Sequence, residues 1–142
     1  MKNLVAAFAF VLALAGCGGG DSTGPSPFDA AVGSYQLTQV NGSTVPMVYY
    51  QSTAGTIEVL SGSMSLRSDH SYTQTLTLKA TYSDGTSETV PTVENGSFNV
   101  TGSQITFTIP ASGTDPAFSY TGAVDNGVVT YTYEGDSFRY EK

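Results

Sequence analysis

From Tyr72 to Tyr82 the chain alternates without a break. Tyr72, Gln74, Leu76, Leu78, Ala80 and Tyr82 fall on one face, and Thr73, Thr75, Thr77, Lys79 and Thr81 on the other. A repeat of two belongs to a strand covered on one side and wet on the other, and no helical spacing fits these residues. The pattern returns in Phe98 and Val100 against Ser97 and Asn99, and in Ile105, Phe107 and Ile109 against Gln104, Thr106 and Thr108. It continues through Phe118, Tyr120 and Val124, then Phe138 and Tyr140. Turn pairs divide these runs: Asn41-Gly42, Asp84-Gly85, Asn95-Gly96, Thr101-Gly102, Asn126-Gly127 and Gly135-Asp136. Several of them favour tight hairpins, so consecutive strands become antiparallel neighbours. The spacing predicts strands near residues 34–41, 56–60, 62–67, 71–82, 86–91, 95–101, 103–109, 117–125, 127–134 and 136–141. An all-β chain of this kind must hide its strand edges. Closing an antiparallel up-and-down meander into a small barrel does so most completely, with a β-sandwich as the competing arrangement.

The 142 residues suit a single domain. Charged residues make up 12% of them, about half the usual share. Seventeen Ser and nineteen Thr supply the polar surface instead, a composition that fits an extracytoplasmic β protein. The formal charge of −7 would repel a polyanion, which argues against nucleic acid as a partner.

A basic start at Lys2 precedes an apolar run over residues 4–15, too short to span a bilayer of about 30 Å and of the length of a signal-peptide core. That run ends in Leu14-Ala15-Gly16-Cys17, which resembles the lipobox of bacterial lipoproteins. The resemblance implies that residues 1–16 are a removed signal peptide and that Cys17 carries the lipid, with acyl chains such as palmitate as its membrane anchor. The expected location is the bacterial cell envelope. Gly18, where an Asp would favour the inner membrane, points to the outer one. Cys17 is the only cysteine, so its use for lipid leaves no disulfide, metal thiolate or cysteine nucleophile. Residues 17–27 then read as lipidated Cys and flexible tether, since Gly18 to Pro27 contain nothing able to enter a core. Ser26-Pro27-Phe28-Asp29 has the form of a capping box and starts one helical turn that ends at Gly33.

Gly33-Ser34-Tyr35-Gln36-Leu37, followed by Val40-Asn41-Gly42, resembles the opening of lipocalin-like bacterial domains. The resemblance implies a calycin-type barrel over residues 28–142, preceded by a one-turn helix at 27–32. It also implies an Arg or Lys near the last strand packed across the aromatic ring of the opening motif. Arg139 would then lie across Tyr35, whereas alternation alone turns Arg139 outward between Phe138 and Tyr140.

Groups able to do chemistry are sparse. His70 is the sole histidine, and Asp69-His70 reads as part of a hairpin loop rather than a base with its orienting carboxylate. One histidine and no spare cysteine make a zinc site improbable. Asp125-Asn126-Gly127 and Glu134-Gly135-Asp136 lack the spacing of a calcium loop and read as turns. The Asn-x-Ser/Thr triplets at Asn41, Asn95 and Asn99 also read as turn chemistry. No catalytic residue, metal or cofactor is expected, and the chain is not read as an enzyme.

What remains is binding. Tyr35, Tyr72, Tyr82, Phe98 and Phe107 would face inward, joined by Tyr120, Phe138 and Tyr140 and by Leu76 and Leu78. Such a lining either fills the barrel or surrounds a small hydrophobic or aromatic ligand. The segment at residues 45–50 contains Pro46, which argues against a central strand, so Met47, Tyr49 and Tyr50 would form an apolar loop at one mouth. A membrane-anchored envelope lipoprotein acting as an interaction module for protein or glycan is the leading expectation, with lipocalin-like ligand binding as the alternative. An interior void above about 300 Å³ opening beside Met47 to Tyr50 would favour the ligand. A filled barrel with an exposed apolar patch would favour the interaction module.

Overall fold

A computed structural model describes residues 24–142. The signal peptide expected at 1–16, Cys17 and the tether up to residue 23 lie outside the described residues. Ser26 starts helix α1 (Pro27–Ala31) by accepting the Asp29 amide at 3.1 Å and donating to the Asp29 carboxylate at 2.7 Å. This fills one orphan donor of the first turn, and Pro27 has no N–H to leave unpaired. Ten strands follow: β1 (Gly33–Val40), β2 (Ser43–Thr44), β3 (Met47–Ser52), β4 (Gly55–Leu66), β5 (Ser71–Tyr82), β6 (Ser87–Thr101), β7 (Gln104–Ile109), β8 (Phe118–Asp125), β9 (Val128–Tyr133) and β10 (Asp136–Glu141).

From β4 to β10 each strand pairs antiparallel with the next. β1 closes the ring, pairing with β10 through Gln36–Val40 and with β4 through Gly33–Gln36. The result is an eight-stranded antiparallel barrel built from β1 and β4 to β10, and this closure excludes the sandwich. Tight turns supply the reversals. Asn41 and Gly42 both have positive φ, as do Asn126 and Gly127, the geometry that matches the twist of a two-residue hairpin. At the last hairpin the pair is Glu134-Gly135 instead of Gly135-Asp136, because Asp136 is already paired with Tyr133 as the first residue of β10.

Four other expectations are corrected by the structure. The strands at 56–60 and 62–67 are one, β4, in which a bulge between Val59 and Ser61 replaces the break and keeps Val59 and Gly62 facing the interior. The strands at 86–91 and 95–101 are likewise one. Asn95-Gly96 pairs opposite Thr73 and Tyr72 inside β6, so neither Asn95 nor Asn99 lies in a turn. Gly96 is there for close approach: a Cβ would collide with the Thr108 carbonyl oxygen and lie 2.7 Å from the Tyr72 ring. Residues 47–50 are not a loop but part of β3, an outer strand paired only with β4; Pro46 stands just outside it and so withholds no ladder hydrogen bond.

The fourth correction concerns the base of the barrel. Arg139 does not lie across Tyr35: its register opposite Gln39 and Thr130 turns it outward, where its Nε donates to Glu141 at 2.6 Å. Lys142 takes that place, because a residue just beyond β10 can wrap beneath the ring while one inside the strand cannot. Its Nζ sits 5.3 Å from the Tyr35 ring centroid and donates to the Ala30 and Val32 carbonyls at 2.6 and 2.9 Å. The Tyr35 hydroxyl donates to the Ala31 carbonyl, so three carbonyls at the end of α1 are satisfied from the barrel. Phe28 of α1 stacks on His70 and Phe98, with centroids 4.2 and 5.2 Å apart, and plugs this end.

The other end is uneven. β5 and β6 have 12 and 15 residues against 6 in β7. β6 meets β7 only from Ser97 onward, while its earlier half pairs with β5 alone. The upper parts of β3, β4, β5 and β6 therefore rise beyond the barrel rim as a four-stranded flap.

Candidate functional site

The interior is closed below and cupped above. Tyr35, Tyr72, Phe107 and Tyr140 are fully buried with Met64, Leu66 and Ile105, and Phe98 joins them. Tyr72 meets Phe107 edge-on at 5.0 Å, Phe107 stacks on Tyr120 at 5.1 Å, and Tyr131 stacks on Phe138 at 5.1 Å. This packing fills the lower barrel with side chains. Above it lies a cup of about 180 Å³ lined by Gln74, Leu76, Thr92, Glu94, Tyr120, Tyr131, Tyr133 and Phe138.

The cup has a polar floor. Glu94 Oε1 accepts the hydroxyls of Tyr72 and Tyr120 at 2.6 and 2.7 Å, and Gln74 Oε1 accepts that of Tyr131 at 2.8 Å. The Tyr140 hydroxyl is buried without a partner. Burial, and after it the Glu94 bond, raises the pKa of Tyr72 and of Tyr120 far above the ordinary 10.0. Burial likewise raises Tyr131 and Tyr140. All four phenols therefore remain protonated through the neutral range, and three of them serve as fixed donors.

Of the residues expected to line a ligand, Leu76, Tyr120 and Phe138 border the cup. Tyr35, Tyr72, Phe98, Phe107 and Tyr140 belong to the packed core below it, and Leu78 packs against that core. Tyr82 is not interior. It is the last residue of β5, beyond the rim, 47% exposed and donating to Glu88 at 3.1 Å. Sequence reasoning missed Glu94, Thr92, Tyr131 and Tyr133. The signal for the first two was the alternation running back from Phe98 through Gly96, hidden once Asn95-Gly96 was read as a turn. For the tyrosines it was Val129, Tyr131 and Tyr133 against Thr130 and Thr132.

The flap forms a second feature. Pairing sets Tyr50 beside Ile57, Ile57 beside Ala80, and Gly55 beside Tyr82, so these residues share one face. They border a largely apolar groove of about 270 Å³ at the flap tip. Tyr50 is 56% exposed, and Val90, opposite Leu78, adds apolar surface on this face, whereas Val48 and Val93, opposite Glu58 and Thr75, face the other way. Met47 is half-buried against the core, whereas Tyr49 and Tyr50 are exposed. Tyr49, in the β3 bulge, donates to Asp136 at 2.5 Å, and Asn41 donates to the same carboxylate at 2.8 Å. The Tyr49 bond ties the flap to the β9–β10 hairpin, the Asn41 bond ties the β1–β2 turn to it, and the two, Asn41 first, hold the Asp136 carboxyl below its usual range. Among the described residues no cluster of His, Asp and Glu could hold a metal ion. No family model and no curated protein matches the chain, so the functional reading rests on this geometry.

Proposed function

We propose that the protein is a lipid-anchored envelope lipoprotein, held through Cys17, whose lipocalin-like barrel acts as a non-enzymatic interaction module for a protein or glycan partner. The observation that carries this reading is the flap: an apolar face with Tyr50 and Tyr82 exposed, above an interior too full for a lipid-like ligand. Its placement supports the anchor. α1 lies at the closed end, so a lipid on Cys17 would tether the barrel by its base and leave the flap tip pointing away from the bilayer. Gly18 after the cysteine supports the outer membrane as the site.

The test is site-specific photocrosslinking in the native cell, with a photoreactive residue replacing Tyr50, Tyr82 or, on the opposite outer wall, Thr121. A discrete adduct from positions 50 and 82 but not from 121 is expected. Equal patterns at all three positions would overturn the flap assignment. The anchor is tested separately by Cys17→Ala, which should release the protein from the membrane or leave the precursor uncut. Unchanged fractionation would remove the lipoprotein reading.

A further inference from the structure

The cup at the barrel mouth has a chemistry of its own, independent of the flap. Glu94 is half-buried on its wall, and its Oε1 is occupied by the Tyr72 and Tyr120 hydroxyls. Among the described residues its Oε2 makes no hydrogen bond, and the ion pairs present, Lys79 with Glu58 and Arg139 with Glu141, leave Glu94 without a cation. A carboxylate drawn partly out of water without a cation is costly and attracts one. Around it stand the rings of Tyr120, Tyr131, Tyr133 and Phe138. Tyr120 lies 5.2 Å from Tyr131 and 5.5 Å from Tyr133, and Tyr131 lies 5.1 Å from Phe138. Aromatic faces attract cations through their quadrupole, most strongly where water is scarce.

We propose that this cup binds a small organic ammonium ion, its N–H donating to Glu94 Oε2 and its hydrocarbon part lying against Tyr133, Phe138 and Leu76. Size limits the ligand. The cup holds about 180 Å³, below the roughly 300 Å³ at which pockets for drug-sized molecules begin. Charge selects it: Glu94 repels anions, and the net charge of −7 raises the local concentration of cations. The phenol donors favour the same outcome. Because the Tyr72 and Tyr120 hydroxyls stay protonated, they hold one oxygen of Glu94 in place and leave the other to the ligand.

The chain has no Trp, so its ultraviolet emission comes from tyrosine, and four of the nine tyrosines surround or underlie the cup. Titrating the protein with n-butylammonium, n-butanol and butyrate, none of which absorbs in that range, isolates the charge. Butylammonium is expected to give a saturable change with at least about tenfold higher affinity than butanol, and butyrate none. Glu94→Gln keeps the shape and an acceptor for the tyrosines, and should lower butylammonium affinity about tenfold. Near-ultraviolet circular dichroism checks that the variant folds. Phe138→Leu, which removes a ring from the wall against which the hydrocarbon lies, should weaken butylammonium and butanol alike. Equal affinity for butylammonium and butanol in the wild type, or no saturable binding of butylammonium, overturns the proposal. So does a folded Glu94→Gln variant with undiminished affinity.

Discussion

The two ends of this barrel are built from the same alternating strands yet differ in what covers their inner faces. At the closed end α1 lies over the interior, and Tyr35, Tyr72, Phe107 and Tyr140 meet other side chains on every side. At the open end the same alternation carries Leu78, Ala80 and Tyr82 up a strand that outruns the ring. Burial fades along it until Tyr82 is 47% exposed. The difference teaches that a period of two states which residues share a face but not whether anything lies opposite. That is decided by strand length and by what the chain ends do. The 12 and 15 residues of β5 and β6 against 6 in β7 are enough to turn an inner face into an outer one.

The largest effect expected from this contrast appears in alkali, because it acts on several buried phenols at once. Tyr72, Tyr120, Tyr131 and Tyr140 have pKa values raised by burial above the 10.0 of an unfolded tyrosine. Above about pH 10 the unfolded chain binds fewer protons than the folded one, so stability is full below that pH and falls as pH rises toward the folded values. Each withheld phenol contributes a slope of about 1.4 kcal/mol per pH unit. Absorbance at the tyrosinate band should show these phenols ionising together with loss of near-ultraviolet circular dichroism. Independent ionisation of all nine tyrosines before unfolding would break the distinction between the two ends.

Next in size is the base. Tyr35→Ala removes a fully buried ring and the hydrogen bond to Ala31, a change expected to cost about 3–5 kcal/mol in urea unfolding. Lys142→Ala should cost about 1 kcal/mol, since it removes an exposed cation over that ring and two solvent-facing bonds to carbonyls of α1. Arg139→Ala, which loses only a solvent-exposed pair with Glu141, should stay within about 0.5 kcal/mol. A double-mutant cycle sharpens the point: Tyr35 should couple with Lys142 and not with Arg139. The reverse result would restore the strand residue as the base clamp.

These particulars show how far the sequence could be read. Hairpins at Asn41-Gly42 and Asn126-Gly127 were legible because positive φ at two successive positions demands such residues. The helix start was legible because Ser26, Pro27 and Asp29 each meet a local requirement of the first turn. Gly96 was misread because a glycine needed for closeness to the Thr108 carbonyl and one needed for a turn look alike in one dimension. Lys142 was passed over because its role depends on wrapping under a closed ring, a property of the ring and not of its neighbours in sequence. Glu94 escaped together with Gly96: taking Asn95-Gly96 for a turn breaks the alternation that sets Glu94 beside Tyr72 of neighbouring β5 and within reach of Tyr120 of β8.

The smallest effect on stability should come from the flap, and its smallness is the point. Tyr50 and Tyr82 are half-exposed, and the bond from Tyr82 to Glu88 lies in solvent, where such contacts contribute little. Tyr50→Ser combined with Tyr82→Ser should therefore shift unfolding by no more than about 0.5 kcal/mol, the range of ordinary surface substitutions. Large aromatic side chains held at the surface with so little return in stability are what a binding face requires, because their apolar area stays available to a partner. Urea unfolding of this variant beside Tyr35→Ala measures the contrast directly. A loss above about 1.5 kcal/mol would place the two tyrosines among groups that hold the fold together. The flap would then be an extension of the core, and the exposed face would lose its standing as the surface the barrel presents.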